Sequence, residues 1–348
     1  MIPAAFGPVD GVSNAAGRAS DEHPLPDISV VVPTYRRPEM LATCLDALYR
    51  QDLPPERYEI VVCDDGPDDA TRACVERVAR ENAPRGLSVL YVPVTATQGP
   101  AGARNAGWCC ACGAIIAFTD DDTLPDSRWL SAGIAALSGG AAAAAGRIMV
   151  PLPECPTDYE ADASGLERAE FATANAFVRR SFLLSTGGFD ERFTSAWRED
   201  SDLQFTLMQA GGEVVRAPAA IVVHPVRPAR WGVSIAQQKK SQFDALLYKK
   251  HRQLFITRIR SALPLLYYAI LCAALVTLVA ALMRSLPVTL AGLVVWVGLT
   301  ATFCAMRLRN RTLSAQHVAE MIWTSVPIPF LSIFWRLYGA MRFKVPFL

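Results

Sequence analysis

The stretch Ala114-Ile115-Ile116-Ala117-Phe118-Thr119-Asp120-Asp121-Asp122-Thr123-Leu124-Pro125 decides how this chain is read. Apolar residues run directly into three carboxylates and then into a turn. In open α/β sheets, ligands bind just beyond the carboxyl ends of the strands. A buried strand that ends in Asp-x-Asp therefore brings carboxylates to the working edge of a sheet. Such oxygens suit hard divalent cations, Mg²⁺ or Mn²⁺, which commonly keep a phosphate ligand as well. The plainer reading is a solvated turn, with an Asp capping the next helix and Pro125 near that helix's first turn.

The segments before this stretch favour the site. Residues 28–32, Ile-Ser-Val-Val-Val, form a short β-branched run suited to a buried strand. Pro33-Thr34-Tyr35-Arg36-Arg37-Pro38 follows, and then Leu41, Cys44, Leu45 and Leu48 recur at helical spacing. A second strand over 58–63 ends in Asp64-Asp65-Gly66, and a helix is expected over 69–81. Residues 87–92 read as a third strand, 99–112 as a Gly-rich turn entering a helix, and 114–118 as the fourth strand. Alternating strands and helices predict an α/β, doubly wound, mostly parallel sheet. Carboxyl ends of parallel strands share one side. Thr34-Tyr35, Asp64-Asp65 and Asp120 to Asp122 should therefore face one crevice.

Further on, 141–150 reads as another strand, 151–166 as a Pro- and acid-rich loop, and 171–180 as extended. Gly187-Gly188-Phe189-Asp190 is a turn. A helix following Trp197-Arg198-Glu199-Asp200 should run to about 210, stopped by Gly211-Gly212. Residues 214–217 and 221–224 are short and β-like.

The character changes at Trp231. Lys and Arg then interleave with apolar and aromatic residues to 260, a basic amphipathic pattern suited to an anionic membrane surface. Residues 262–283 and 287–306 are uncharged and each long enough to span a bilayer. The short link Arg284-Ser285-Leu286 predicts a hairpin. Basic residues flank both outer ends, so the positive-inside rule puts those ends and the N-terminal domain in the cytoplasm. This predicts a multi-pass protein of the cytoplasmic membrane. A third apolar segment, 321–335, is shorter, holds Pro327 and Pro329, and is followed by Arg336, Arg342 and Lys344. It is read as interfacial or re-entrant. Residues 1–26 lack the basic start and apolar core of a signal peptide and are expected to be a disordered tail.

Bulk properties exclude little else. With 348 residues and a net charge of +1 there is no global attraction to nucleic acid. Cys109 and Cys112 form the single Cys-x-x-Cys among nine cysteines, too few ligands for a zinc site. The cysteines are read as small packing residues of a reducing compartment. No Gly-x-Gly-x-x-Gly follows the first strand, which excludes a dinucleotide oxidoreductase.

Six motifs stand in one order: Val32-Pro33-Thr34-Tyr35-Arg36-Arg37, Cys63-Asp64-Asp65-Gly66, Gly102-Ala103-Arg104-Asn105-Ala106-Gly107, Phe118-Thr119-Asp120-Asp121-Asp122, Gly187-Gly188-Phe189-Asp190 and Glu199-Asp200. Over about 28–224 the chain closely resembles family 2 glycosyltransferases with the GT-A fold. The resemblance implies a glycosyltransferase domain over 27–230. A membrane-surface segment over 231–260, a transmembrane hairpin over 261–311 and an interfacial or re-entrant segment over 312–348 follow it. It also implies that Thr34, Tyr35, Asp64 and Asp65 hold the nucleoside of a nucleotide-sugar donor, with Pro33, Arg37, Arg104, Asp120 and Asp121 around that donor. Asp122 would be a ligand for Mn²⁺ or Mg²⁺, His224 a second residue at the metal or diphosphate, and Asp200 the general base. The Gln-x-x-Arg-Trp motif of processive members is absent, which favours adding one sugar per acceptor. The expected acceptor is a lipid or lipid-linked glycan. A polyprenyl-phosphate acceptor is the nearer alternative, and a non-catalytic sugar-nucleotide-binding scaffold the more distant one.

Overall fold

The computed structural model describes residues 25–259 and 265–347. The expected tail lies outside the described residues except for its last two positions, as does the start of the first apolar segment. The described chain forms two compact units. One holds the residues up to Met149 together with Glu170–His224, and the other holds Val150–Ala169 with Pro225 onward.

The first unit is built on an eight-stranded sheet. Its strands are β1 (Ile28–Thr34), β2 (Tyr58–Asp64), β3 (Ser88–Pro93), β4 (Ile115–Phe118), β5 (Leu124–Pro125), β6 (Ala143–Met149), β7 (Ala176–Arg179) and β8 (Val214–Val223). Their spatial order is β3-β2-β1-β4-β7-β6-β8-β5. β1, β2, β3 and β4 run parallel, as do β6 and β8. β7 is antiparallel to both β4 and β6, and β5 is antiparallel to β8.

The apolar runs are continuous because both faces of the sheet are covered. Val30, Val32, Ile60 and Val62 enter one core, while Val31, Val61, Ile116 and Phe118 enter the other. Helix Pro100–Cys110 approaches the sheet closely. A Cβ at Gly107 would collide with Cys63 Sγ and with Val31.

The structure differs from the sequence reading at several points. Leu124-Pro125 pairs with Val223 and Val222 as a strand, and the next helix starts only at Trp129, so Pro125 is not in its first turn. The two short β-like pieces at 214–217 and 221–224 are one strand, β8, with an irregularity where Gly146↔Ala217 is followed by Arg147↔Ile221. Pro218, which cannot donate to a ladder, lies in the stretch between Ala217 and Ile221 that the register leaves out. The nine cysteines are all thiols. Cys44, Cys63 and Cys74 are buried, whereas Cys109 is exposed.

In the second unit, helices Leu265–Leu282 and Leu286–Leu308 are each long and apolar enough to cross a membrane. They pack closely where Gly292 meets Thr277, with room for no Cβ: one would lie 2.5 Å from Thr277 Oγ1. Helices Ala315–Ser325 and Ile328–Arg342 meet at a 48° bend, and together they are long and apolar enough for a broken span or a re-entrant loop. The basic stretch is helical over Gln242–Lys250, but Phe243, Leu246 and Leu247 are fully buried. Helix Ile328–Arg342 covers it, with Gly339 against the Gln242 backbone, and Lys249 Nζ donates to the Phe343 carbonyl at 2.8 Å. The apolar side expected to meet a membrane surface is thus turned to the protein. The covering helix lies some ninety positions later in sequence, beyond the reach of a local pattern.

Candidate active site

β4 ends at Phe118, and threonine hydroxyls brace the loop that follows. Thr119 Oγ1 donates to the Ala174 carbonyl at 3.0 Å and lies 2.7 Å from Thr123 Oγ1. Thr123 Oγ1 in turn lies 2.8 Å from the Asp120 carbonyl. This turn separates the roles of the three aspartates. Asp121 points inward, accepting from Thr34 Oγ1 at 2.8 Å and from Arg37 Nη1 at 3.1 Å. Burial raises its pKa, and Arg37 opposes that shift. Asp121 therefore ties the end of β1 to the loop.

Asp120 and Asp122 turn toward His224, the residue just past β8. Donor atoms from the three residues all lie within 4.8 Å of one another, and His224 Nε2 is 3.5 Å from Asp122 Oδ1. The His224 N–H donates to the Met149 carbonyl at 2.8 Å, so β6 fixes the backbone that carries the ring. Two carboxylates and an imidazole make a donor set that fits Mn²⁺ or Mg²⁺, with Mn²⁺ tolerating the nitrogen better.

Arg104, on helix Pro100–Cys110, is buried and joins this group to a second one. Its Nη2 donates to Asp120 Oδ1 at 2.8 Å and its Nη1 to Glu199 Oε1 at 3.3 Å. Burial alone would make it a weaker base. Asp120, Asp200 and Glu199 outweigh burial and hold it firmly protonated. Glu199 and Asp200 open helix Glu199–Gln209. Burial raises both carboxyls, and Arg104 opposes the shift in both. Thr173 Oγ1 donates to Asp200 Oδ1 at 2.7 Å and also favours its ionised form. Asp200 is not the helix cap. That position belongs to Arg198, a non-glycine residue in the left-handed region at φ 75°. Such strain is sustained where surroundings over-determine it.

The remaining predicted site residues line the ends of β1 and β2. Pro33 sits in β1 opposite Cys63. Tyr35 is half exposed, and its ring lies against Gly66 with no space for a Cβ there, the nearest ring atom being 2.5 Å from that point. Asp64 is fully buried and accepts from the Gly66 and Asp68 N–H groups, both at 3.2 Å, and from the Tyr91 hydroxyl at 2.8 Å. Asp65 accepts the Gly99 N–H on both oxygens, at 2.8 and 2.9 Å, and burial raises its pKa. Glu199 and Thr173 were given no role in the sequence reading. A second carboxylate beside Asp200 was the available signal for Glu199, while Thr173 had none.

One more support was missed. Asn105 Oδ1 accepts from Trp108 Nε1 and the Phe189 N–H, while its Nδ2 donates to the Phe189 carbonyl, each at 2.9 Å. This clamps the Gly187–Asp190 turn and sets Phe189 edge-on to Phe118, with ring centroids 5.2 Å apart.

Family models match two overlapping stretches: Glycosyl transferase family 2 at residues 29–199, and Glycosyl transferase family group 2 at residues 157–306. Glycosyltransferase AglE of Haloferax volcanii is 30% identical over 216 residues, covering 59% of this chain and 68% of the relative. Validoxylamine A glucosyltransferase of Streptomyces hygroscopicus subsp. limoneus is 26% identical over 285 residues, covering 71% of this chain and 60% of the relative. The chain thus spans less than two thirds of that second relative. Among solved structures, the mannosyltransferase PcManGT from Pyrobaculum calidifontis, in complex with GDP-Man and Mn²⁺, has the same fold. Its TM-score is 0.58 at 21% identity, covering 90% of this chain and 88% of the other. The extent of the match to AglE and the two family models shows that this chain belongs to glycosyl transferase family 2, and it is a glycosyltransferase with a GT-A-type domain.

Proposed function

We propose that this enzyme moves a single sugar, with inversion, from a nucleotide sugar to a hydroxyl of a lipid or lipid-linked glycan. The observation that carries the reading is the convergence of Asp120, Asp122 and His224 within 4.8 Å, beside the Arg104–Glu199–Asp200 group. Asp120, Asp122 and His224 would hold Mn²⁺ or Mg²⁺. When bound, such an ion stabilises the negative charge that grows on a nucleoside diphosphate leaving group.

The chain's own residues supply the rest. Tyr35 and Asp65 border the donor's nucleoside. Asp64 and Asp121, engaged by their own neighbours, shape the pocket. Asp200 takes the proton of the acceptor hydroxyl as the sugar carbon is attacked, a role worth roughly 10²- to 10⁴-fold. Arg104 keeps Asp120 and Glu199 at fixed positions on either side of one guanidinium. A single direct displacement, in which the acceptor oxygen bonds to the sugar carbon as the nucleoside diphosphate leaves, inverts the anomeric centre. PcManGT's complex with GDP-Man and Mn²⁺ supports the choice of donor and metal. The two apolar helices support residence in a membrane and a membrane-bound acceptor, and the basic residues at their outer ends favour the cytoplasmic side for the GT-A unit.

A donor screen tests the reading: nucleotide sugars, detergent-solubilised protein, and membrane extract as acceptor. Transfer should stop in excess chelator and return with Mn²⁺ or Mg²⁺. Full transfer in chelator would end the metal assignment.

A further inference from the structure

We propose that helix Ile328–Arg342 lies in the plane of a membrane surface, with an aromatic stripe in the lipid, rather than crossing the bilayer. The inference rests on the reading that helices Leu265–Leu282 and Leu286–Leu308 span that bilayer.

This helix and its neighbour, Ala315–Ser325, are inside out for a pair in water. Between Met321 and Met341 every exposed residue is apolar or aromatic. On Ile328–Arg342 these are Phe330, Phe334, Leu337, Tyr338 and Met341, recurring three or four apart along one face. Trp323, 63% exposed, stands on the neighbouring helix. Polar groups point the other way, into the unit. His317 Nε2 accepts the Asp158 N–H at 3.3 Å, Glu320 Oε1 accepts the Gly232 N–H at 2.7 Å, and Ser332 is buried. An apolar face of this size, backed by satisfied polar groups, suits surroundings that are themselves apolar.

The ends of the helix set its depth. Just before it, Thr324 Oγ1 and Ser325 Oγ accept from Arg307 Nη1 at 2.7 and 3.2 Å, and Arg307 lies in the last turn of the second long helix. Ile328 shares a buried cluster with Phe303, one turn before Arg307, and with Ile270, near the start of the first long helix. The start of Ile328–Arg342 is therefore at the head-group level of one membrane face. Its other end is tied to the same face. Arg342 Nη1 donates to Gln242 Oε1 at 2.8 Å, and Lys249 Nζ donates to the Phe343 carbonyl at 2.8 Å. Helix Gln242–Lys250 leads into the first long helix through Arg252 and Arg258, with no apolar span between. Fifteen residues also reach only about 22 Å, short of the roughly 30 Å hydrocarbon core. Aromatic side chains with cations at the helix end, here Arg342 and Lys344, match the boundary between head groups and acyl chains.

The test places the full chain in phosphatidylcholine vesicles with a photoactivatable lipid. Its diazirine sits either near the glycerol or at the end of an acyl chain, and adducts are mapped by peptide mass spectrometry. The shallow probe should label Ile328–Arg342. The deep probe should label the two long helices and leave Ile328–Arg342 unlabelled. In the double variant Phe334→Glu/Leu337→Glu, shallow labelling of this helix should fall by about tenfold or more, as expected for two apolar side chains lost from lipid. Labelling of the long helices should stay as in the parent. Deep labelling of Ile328–Arg342 equal to that of the long helices would show that it crosses, and would overturn the proposal. Labelled long helices with Ile328–Arg342 unlabelled by either probe would mean that protein, such as a second copy, covers the stripe, and would overturn it as well. Unchanged shallow labelling in the double variant would do the same. Long helices unlabelled by the deep probe would remove the membrane reading itself, and this proposal with it.

Discussion

Replacing Thr173 with Val removes one hydroxyl and little volume, at the residue that holds the proposed base. Thr173 is buried, and its hydroxyl donates to Asp200 Oδ1 at 2.7 Å. A hydrogen bond to a charged group contributes about 1.5–3 kcal/mol. This one favours the carboxylate over the protonated acid, working with Arg104 against the burial that raises the Asp200 pKa. Losing it raises that pKa further. A base takes a proton only when ionised, so the acid limb of the rate profile should move to higher pH. On that limb, a loss at the low end of the range is about tenfold in rate. At pH well above the limb the difference should shrink, and Thr173→Ser should restore the parent profile. The assay is transfer rate against pH at saturating donor. An acid limb that stays put, or moves to lower pH, would refute the reasoning.

Other expectations follow from single positions. Asp122→Ala should lose transfer and the response to Mn²⁺ while its thermal unfolding matches the parent; retained metal-stimulated transfer would count against its role. Gly188→Ala should destabilise the protein by about 2 kcal/mol or more, from a left-handed backbone and an overpacked site, since Gly188 has φ +72° and a Cβ there would lie 2.6 Å from Trp108 Nε1; denaturant unfolding reads this. A cysteine at Ser285 should react with an impermeant thiol reagent from outside the cell, and one at Asp69 only after lysis; the opposite pattern would invert the topology.

Much of the sheet was legible because it is buried on both faces. Val30 to Val32, Ile60 to Val62 and Ile115 to Phe118 need no alternation, so continuous apolar runs mark them directly. The crevice was legible for a related reason: polar clusters at the ends of parallel strands are forced to one side. What stayed hidden depends on partners far away in sequence. The contacts that hold Asp64 and Asp121, from Tyr91, Thr34 and Arg37, are of this kind. Arg104 appeared as one motif among several, and only the fold shows it spanning from Asp120 to Glu199. β8 was read as two short pieces, and the irregularity between Ala217 and Ile221 that keeps them in one strand has no local signature.

The central claim is that Asp200 accepts a proton from an acceptor hydroxyl, and Asp200→Asn tests it most directly. Asparagine keeps the size and the Thr173 contact but cannot take the proton. Donor affinity by calorimetry and transfer rate with membrane extract should be measured on the same preparation. The mechanism requires near-parent affinity with turnover lowered by roughly 10²-fold or more. A small loss would point to an acceptor that is already ionised, such as a phosphate. A variant that binds donor and transfers at the parent rate would contradict the account.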